Sequence, residues 1–326
     1  MLEYKKVVKT PFHYPFTDCH PKEKTLFFDI ETTGLSAKSS FLYLIGCIYY
    51  EKDQWHMIQW FNNDSESEEL MLQNFLLLVS NYDTLIHYNG KRFDLPYLIE
   101  RCNHFHLKDT FSNLNQIDFY QVAKAYRSIL CLSSLSQHSV EQFFQLNRTE
   151  FQSGEDLIVA YYIYLKSNNL HQQQQLLIHN QDDLIGLLTI SNLYSFQMIK
   201  NGNYTISNWE LKDHIIRVQL EFQGLLPHII KNNDYCQMEI ENNTLVLSIP
   251  IINGRIRNYY SNYKDYYYLP AEDMAVHKKL STYVSKYAKE KATPDTCYTW
   301  VSYHDKLLNE STIVSYTQSV LYPFFA

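Results

Sequence analysis

The first long apolar run, Leu26-Phe27-Phe28-Asp29-Ile30, leads through Glu31 into Thr32-Thr33-Gly34-Leu35, the pattern of a buried strand running out to a loop. Phe41–Tyr50 and Trp55–Phe61 repeat the strand pattern around the charged turn Glu51-Lys52-Asp53. These three runs predict an antiparallel start to a sheet. A polar, acidic stretch from Asn62 to Glu69 then opens a helix, with Asp64 or Ser65 as its cap, and Leu70–Val79 carries the apolar stripe. Thr84–His87 reads as a short strand, Leu95–Cys102 as a helix with Pro96 in its first turn, and Gln116–Phe119 as another strand. Helical patterns follow: a segment capped by Ser134 with Gln137 and ending near Leu146, then Glu155–Lys166, then one from Leu170–Gln175 to about Lys200.

Near Asn201-Gly202-Asn203 the period changes. Tyr235–Ile240, Thr244–Ile251, Arg255–Tyr260 and Tyr263–Leu269 alternate like strands, with a hairpin signal at Asn253-Gly254. Ala271–Lys291 reads as a helix and Tyr298–Tyr303 as a further strand. The expectation is an N-terminal arm over 1–24 punctuated by Pro11, Pro15 and Pro21, an α/β domain over 25–200, and a small β-rich domain over 201–326.

Composition narrows the class. The 326 residues suffice for two cores, and an aromatic share of 15% is that of a folded protein. The net charge of -7 does not announce a nucleic-acid binder, so any polyanion must meet local basic patches or bound metal. Six scattered cysteines without a Cys-x-x-Cys pair argue against a zinc site or a disulfide framework and suit a reducing cytoplasm. No apolar run is long enough to span a bilayer, so no membrane partner is expected.

Asp29 and Glu31 share one face of their strand, because residues two apart project alike. Two acids side by side in an apolar strand repel and lose solvation, and a divalent cation between them relieves both penalties. The alternative is a strand end whose acids reach solvent. Two later stretches decide between these: His87-Tyr88-Asn89-Gly90-Lys91-Arg92-Phe93-Asp94 at a strand end, and His179-Asn180-Gln181-Asp182-Asp183 within a helix.

In the order Asp-x-Glu, Asn-x-x-x-Phe-Asp, His-x-x-x-Asp, these resemble the three exonuclease motifs of the DEDD (DnaQ-like) 3′→5′ exonucleases, which have a ribonuclease H-like fold. Tyr-Asn-Gly-Lys-x-Phe-Asp and the stretch from Arg148-Thr149 to Tyr164 bring the likeness nearest to the ribonuclease H-like domain of YprB-type proteins. The resemblance covers about residues 25–195 and stops short of the C-terminal third. It implies a mixed sheet flanked by helices, and two divalent cations, Mg²⁺ or Mn²⁺, held by Asp29, Glu31, Asp94 and Asp183. Asp29 would bridge the cations, Glu31 and Asp183 would complete the nucleophile-side site, and Asp94 would hold the other. It implies His179 as general base, against the alternative of a His that only contacts the Asp. His179 departs from the family pattern: it stands four residues before the Asp, a spacing family members give to Tyr, and a family His stands five before. On a helix that spacing sets His179 and Asp183 on one face and turns Asp182 about 100° away.

Thr32, Thr33, Gly34 and Leu35 match the family turn that meets the terminal nucleotide, with Leu35 either a wedge beside a base or a core residue. Asn89 could position the nucleotide, Phe93 is assigned to the core, Lys91 and Arg92 contact phosphates or solvent, and Asp118 is a helix cap. The function implied is a metal-dependent nuclease acting on single strands or 3′ ends of DNA or RNA, with a 3′→5′ exonuclease foremost. The rivals are a nucleic-acid-binding protein that keeps the fold without turnover, and a phosphatase or endonuclease on the same site. In the C-terminal third, Arg255 and Arg257 lie near many tyrosines, and Lys278, Lys279, Lys286, Lys289 and Lys291 follow. Such a mixture suits single-strand binding, but strand-forming tyrosines and a solvated lysine face of a helix are the stronger reading.

Overall fold

The computed structural model describes residues 1–9, 13–16, 19–146, 148, 153–304, 307, 309 and 311–326. Pro11 and Thr149, used above, lie outside the described residues. The chain forms two compact units, Met1–Leu193 and Tyr194–Ala326. Among the described residues, no helix is long and apolar enough to cross a membrane.

The first unit contains β1 (Leu2–Val7), β2 (Thr25–Thr32), β3 (Leu42–Glu51), β4 (Gln54–Phe61), α1 (Glu68–Val79), β5 (Thr84–His87), α2 (Asp94–His104), β6 (Asn115–Asp118), α3 (Phe119–Ala125), α4 (Arg127–Leu130), α5 (Gln137–Phe143), α6 (Gly154–Ser167) and α7 (Leu170–Ile190). Its strands form one sheet in the order β1-β4-β3-β2-β5-β6. β2 is antiparallel to β3 and parallel to β5, and β6 continues the parallel side. The sheet is therefore mixed, as expected of a ribonuclease H-like fold.

Both faces of the sheet are covered. Leu26, Phe28 and Ile30 of β2 pack into one core with Phe75 of α1 and Leu98 of α2. On the opposite face Tyr43, Leu44 and Phe61 pack with Leu157 and Tyr161 of α6 and Leu176 of α7. Strand alternation therefore turns Asp29 and Glu31 away from the α1/α2 core.

Several boundaries differ from the sequence pattern. The N-terminal arm contains an edge strand: β1 pairs antiparallel with β4 although all six of its residues are exposed. Edge pairing rests on backbone hydrogen bonds, so it leaves no apolar signature. Further along the arm Tyr14 and Phe16 are buried. α1 begins after Ser67, one turn beyond Asp64, whose carboxylate instead accepts from the backbone N–H groups of Glu66 and Ser67. The cap of α5 is Ser136, which accepts from the Ser139 N–H, and not Ser134. The last long helix stops at Ile190 and passes through a 3₁₀ turn over Ser191–Leu193.

The second unit contains α8 (Tyr194–Lys200), β7 (Thr205–Lys212), β8 (Ile215–Asn232), β9 (Gln237–Pro250), β10 (Arg255–Tyr259), β11 (Tyr266–Leu269), β12 (Met274–His277), β13 (Glu290–Lys291), β14 (Tyr298–Ser302) and α9 (Ile313–Phe325). It is β-rich, with sheets β7-β8-β9, β10-β14 and β12-β11-β13. β7 and β8 are additions to the sequence reading. Gly224 and Pro227 look like breakers, but β8 runs past them with its pairing interrupted between Glu221 and Leu226. Asn253 and Gly254 do make a tight turn, with φ of 50° and 70°, yet β9 pairs with β8 and β10 with β14 rather than with each other. The helix expected over 271–291 is absent: β12, two 3₁₀ turns and β13 occupy it. Ser281-Thr282-Tyr283-Val284-Ser285 is a run of weak helix formers, and Ser281 and Ser285 bond nearby backbone instead.

Candidate active site

The site is built where β2 meets α7. Gly46 of β3 stands opposite Asp29 in the strand ladder. A Cβ on Gly46 would fall 2.0 Å from Asn180 Oδ1 and 2.7 Å from Leu184 Cδ1, so the missing side chain is what lets α7 come this close. Through that gap the fully buried Asn180 donates its amide to Asp29 Oδ2 at 2.8 Å. Gln59 of β4 in turn donates to Asn180 Oδ1 at 2.9 Å and to the Leu177 carbonyl at 2.9 Å, which fixes the amide's orientation. Gly46, Gln59 and Asn180 escaped the sequence reading. The available signal was one Asn in the buried i, i+4 stripe Leu176–Asn180–Leu184 of α7.

One turn of α7 carries the rest of the third motif. His179 Nε2 lies 3.1 Å from Asp183 Oδ2 and 3.7 Å from Glu31 Oε1. One ligand atom each from Glu31, His179 and Asp183 falls within 4.8 Å of the others. Tyr43 donates to Glu31 Oε2 at 3.4 Å. Asp183 also pairs with Arg148, whose guanidinium bonds the fully buried Glu141 at 2.6 and 2.7 Å. Gln137 donates to the Asp183 carbonyl at 2.7 Å. Arg148, Glu141 and Gln137 are additions to the sequence reading: Asp183, which ties Arg148 and Gln137 to the site, is 35 and 46 residues away in the chain.

Asp94 opens α2 and is 8% exposed. Asp118 accepts from the Tyr120 N–H as the cap of α3, and also from the Asn89 N–H at 2.8 Å. That second bond holds Asn89 at φ 58°, with its Oδ1 buried and without a hydrogen-bond partner.

The electrostatics are those of a site short of positive charge. Burial, then the charges of Asp183, Glu31 and Asp94, hold the Asp29 carboxyl well above its ordinary range. Burial pushes Glu31 up to about 8, with His179 opposing and Asp183 and Asp94 adding. Asp94 is pushed up to about 7, again by burial first, with its backbone hydrogen bonds opposing. Asp183 goes the other way: burial would raise it, but His179 and Arg148 together hold it below the usual carboxylate range. His179 is raised, since Asp183 and Glu31 outweigh its desolvation. Three proton-hungry carboxylates among hard oxygen donors fit a hard divalent cation such as Mg²⁺ or Mn²⁺ better than a soft one.

The turn after β2 is internally bonded: Thr32 Oγ1 donates to the Gly34 carbonyl at 2.9 Å, and Thr33 Oγ1 accepts from the Phe41 N–H at 2.8 Å. Leu35 is 88% exposed, which removes its reading as a core residue. Phe93 packs against the α1/α2 core, and Lys91 and Arg92 are exposed. Asp182 is not among the grouped Glu31, His179 and Asp183.

Comparison with known proteins gives three results. The sequence matches the RNase_H superfamily over residues 26–195, just over half of the chain. No curated protein matches it. Among solved structures it is similar to the family B DNA polymerase from the hyperthermophilic archaeon Pyrobaculum calidifontis, with 15% identity and a TM-score of 0.43. That likeness covers 55% of this chain and spans only 25% of the polymerase chain.

Proposed function

Because the chain belongs to the RNase_H superfamily, we propose that it is a metal-dependent nuclease of the DEDD type, removing nucleotides from the 3′ end of single-stranded DNA or RNA. One observation carries the reading. Asn180 of α7 bonds Asp29, and beside it on the same helix His179 and Asp183 bring ligand atoms within 4.8 Å of Glu31, so acids from distant stretches meet at one place.

These four carboxylates would hold two divalent cations, Mg²⁺ or Mn²⁺. When bound, such cations supply positive charge to the attacking and leaving oxygens of a phosphodiester. The protein's own part is positioning and proton transfer. Gln59 and Asn180 fix Asp29, and Arg148 fixes Asp183. His179, beside Glu31 and Asp183, takes the proton of the attacking water. Thr32, Thr33, Gly34, the exposed Leu35 and Asn89 receive the terminal nucleotide. The resemblance to the YprB-type domain over about residues 25–195, and a setting in a reducing cytoplasm, belong to the same proposal.

A second reading, a nucleic-acid-binding protein of the same fold without turnover, draws on one observation: both Asp183 oxygens are already engaged, by Arg148 and His179. One experiment separates the two. 5′-labelled single-stranded DNA and RNA are incubated with the purified chain and Mn²⁺ or Mg²⁺, beside Asp29→Asn. The nuclease reading expects a ladder shortening from the 3′ end that Asp29→Asn abolishes. Substrates left equally intact by both proteins, with binding retained, favour the second reading.

A further inference from the structure

The segment 278–291 of the second unit, from the end of β12 through β13, carries five lysines and one glutamate, a local charge of +4 in a chain of net charge -7. Lys278, Lys279, Lys286 and Lys291 are exposed. The helix that would have spread them over a solvated face does not form. Instead two 3₁₀ turns hold out Tyr283 and Tyr287, which are 92% and 90% exposed. A tyrosine ring lying almost wholly in water gives up the burial that normally holds aromatics in place.

The segment is built rather than loose. Ser281 Oγ donates to the Lys278 carbonyl at 2.8 Å, and the Val284 N–H to the Ser281 carbonyl at 3.1 Å. Lys289 also donates to the Ser281 carbonyl. The Ser285 hydroxyl caps the second turn by accepting from the Tyr287 N–H. Behind the turns, Lys289 Nζ and Lys278 Nζ lie 5.0 and 6.0 Å from the ring centre of Tyr267. Lys286 Nζ lies 5.4 Å from the Tyr287 ring, so charge and ring are presented together.

We propose that segment 278–291 is a second binding site for single-stranded nucleic acid, with Tyr283 and Tyr287 stacking on bases and Lys278, Lys279 and Lys286 meeting phosphates. Flat rings take any base, and ammonium groups take phosphates without regard to sequence. Ordering in advance the backbone that carries the rings lowers the cost of binding. The choice of nucleic acid over an anionic lipid surface rests on the nuclease reading and on the patch itself: its fully exposed rings carry hydroxyls, and Leu280 is its one largely exposed aliphatic side chain.

The test measures anisotropy of a fluorescein-labelled 20-nucleotide oligo-dT and oligo-U with the full chain in EDTA, where no hydrolysis occurs. Tyr283→Ala/Tyr287→Ala should raise Kd about five- to hundredfold per stacked base, and leave the salt dependence unchanged. Lys278→Ala/Lys279→Ala/Lys286→Ala should lower the slope of log K against log salt by about 2, at about 0.7 for each phosphate contact. The two variants fail independently, and melting curves certify that each is folded. Affinity and slope unchanged in both folded variants would overturn the proposal. So would patch-dependent binding to phosphatidylserine vesicles that the oligonucleotides do not displace. Neither result touches the nuclease reading, which stands or falls on Asp29-dependent cleavage.

Discussion

Gly46→Ala puts the packing of the site to a sharp test. The added methyl must occupy space within 2.0 Å of Asn180 Oδ1 and 2.7 Å of Leu184 Cδ1. Asn180 cannot swing aside freely, since it is fully buried and held from both sides by Gln59 and Asp29. Overpacking of this kind costs about 1–3 kcal/mol, and losing the bond to Asp29 adds about 1–2 kcal/mol. The expected destabilisation of about 2–5 kcal/mol lowers Tm by about 5–15 °C for a domain of this size. Displacing Asp29 by about 1 Å should also cost cleavage about a hundredfold. Differential scanning calorimetry and a single-turnover cleavage assay read both effects. Introduced into Asn180→Ala, the same substitution should cost at least about 1 kcal/mol less, because the nearer of its two clash partners is gone. A Gly46→Ala protein that melts within a degree of wild type and cleaves at the same rate refutes the reasoning.

Arg148→Met leaves Glu141 buried without its cation, and about 3–5 kcal/mol of stability should go in urea denaturation; Glu141→Gln in the same chain should restore part of it. In EDTA, the raised carboxyls of Glu31 and Asp94 bind protons in the folded state that the unfolded chain has already lost. Stability should therefore fall as pH rises from about 4.5 toward the folded values of about 7 and 8, with raised His179 adding in the same direction above 6.5, and saturating Mn²⁺ should flatten the decline. Thermal melts across pH 5–8 with and without Mn²⁺ check this, and a metal-free stability that rises with pH contradicts it. Leu35→Ala should leave Tm within about a degree, since the side chain is 88% exposed, while raising KM for single strands.

What the sequence made legible follows from local geometry. The two-residue spacing of Asp29 and Glu31 sets them on one strand face, and the four-residue spacing of His179 and Asp183 sets them on one helix face; both relations hold in the structure. Asp94 at the first turn of α2 and Asp118 as the cap of α3 were equally local facts. The residues that support them were not. Gly46 matters only because β3 lies beneath α7, and Gln59 and Arg148 reach the site only through Asn180 and Asp183, far away in the chain. β1 stayed hidden because an exposed edge strand needs no apolar pattern, and β8 because a bulge lets a strand outlast its Gly and Pro. Residues 271–291 misled in the opposite direction: three Ala and five Lys suggest a helix, while the Ser and Thr side chains bond the backbone of tight turns.

The most direct measurement of the central claim is a calorimetric titration of Mn²⁺ into the metal-free chain, run beside Asp29→Asn and Asp183→Asn. Convergence of the four carboxylates predicts two bound Mn²⁺ per wild-type chain, with protons released on binding near pH 7 and binding severely weakened in either variant. Wild type that takes up no Mn²⁺ at millimolar concentration, or variants that bind it as wild type does, would contradict the account.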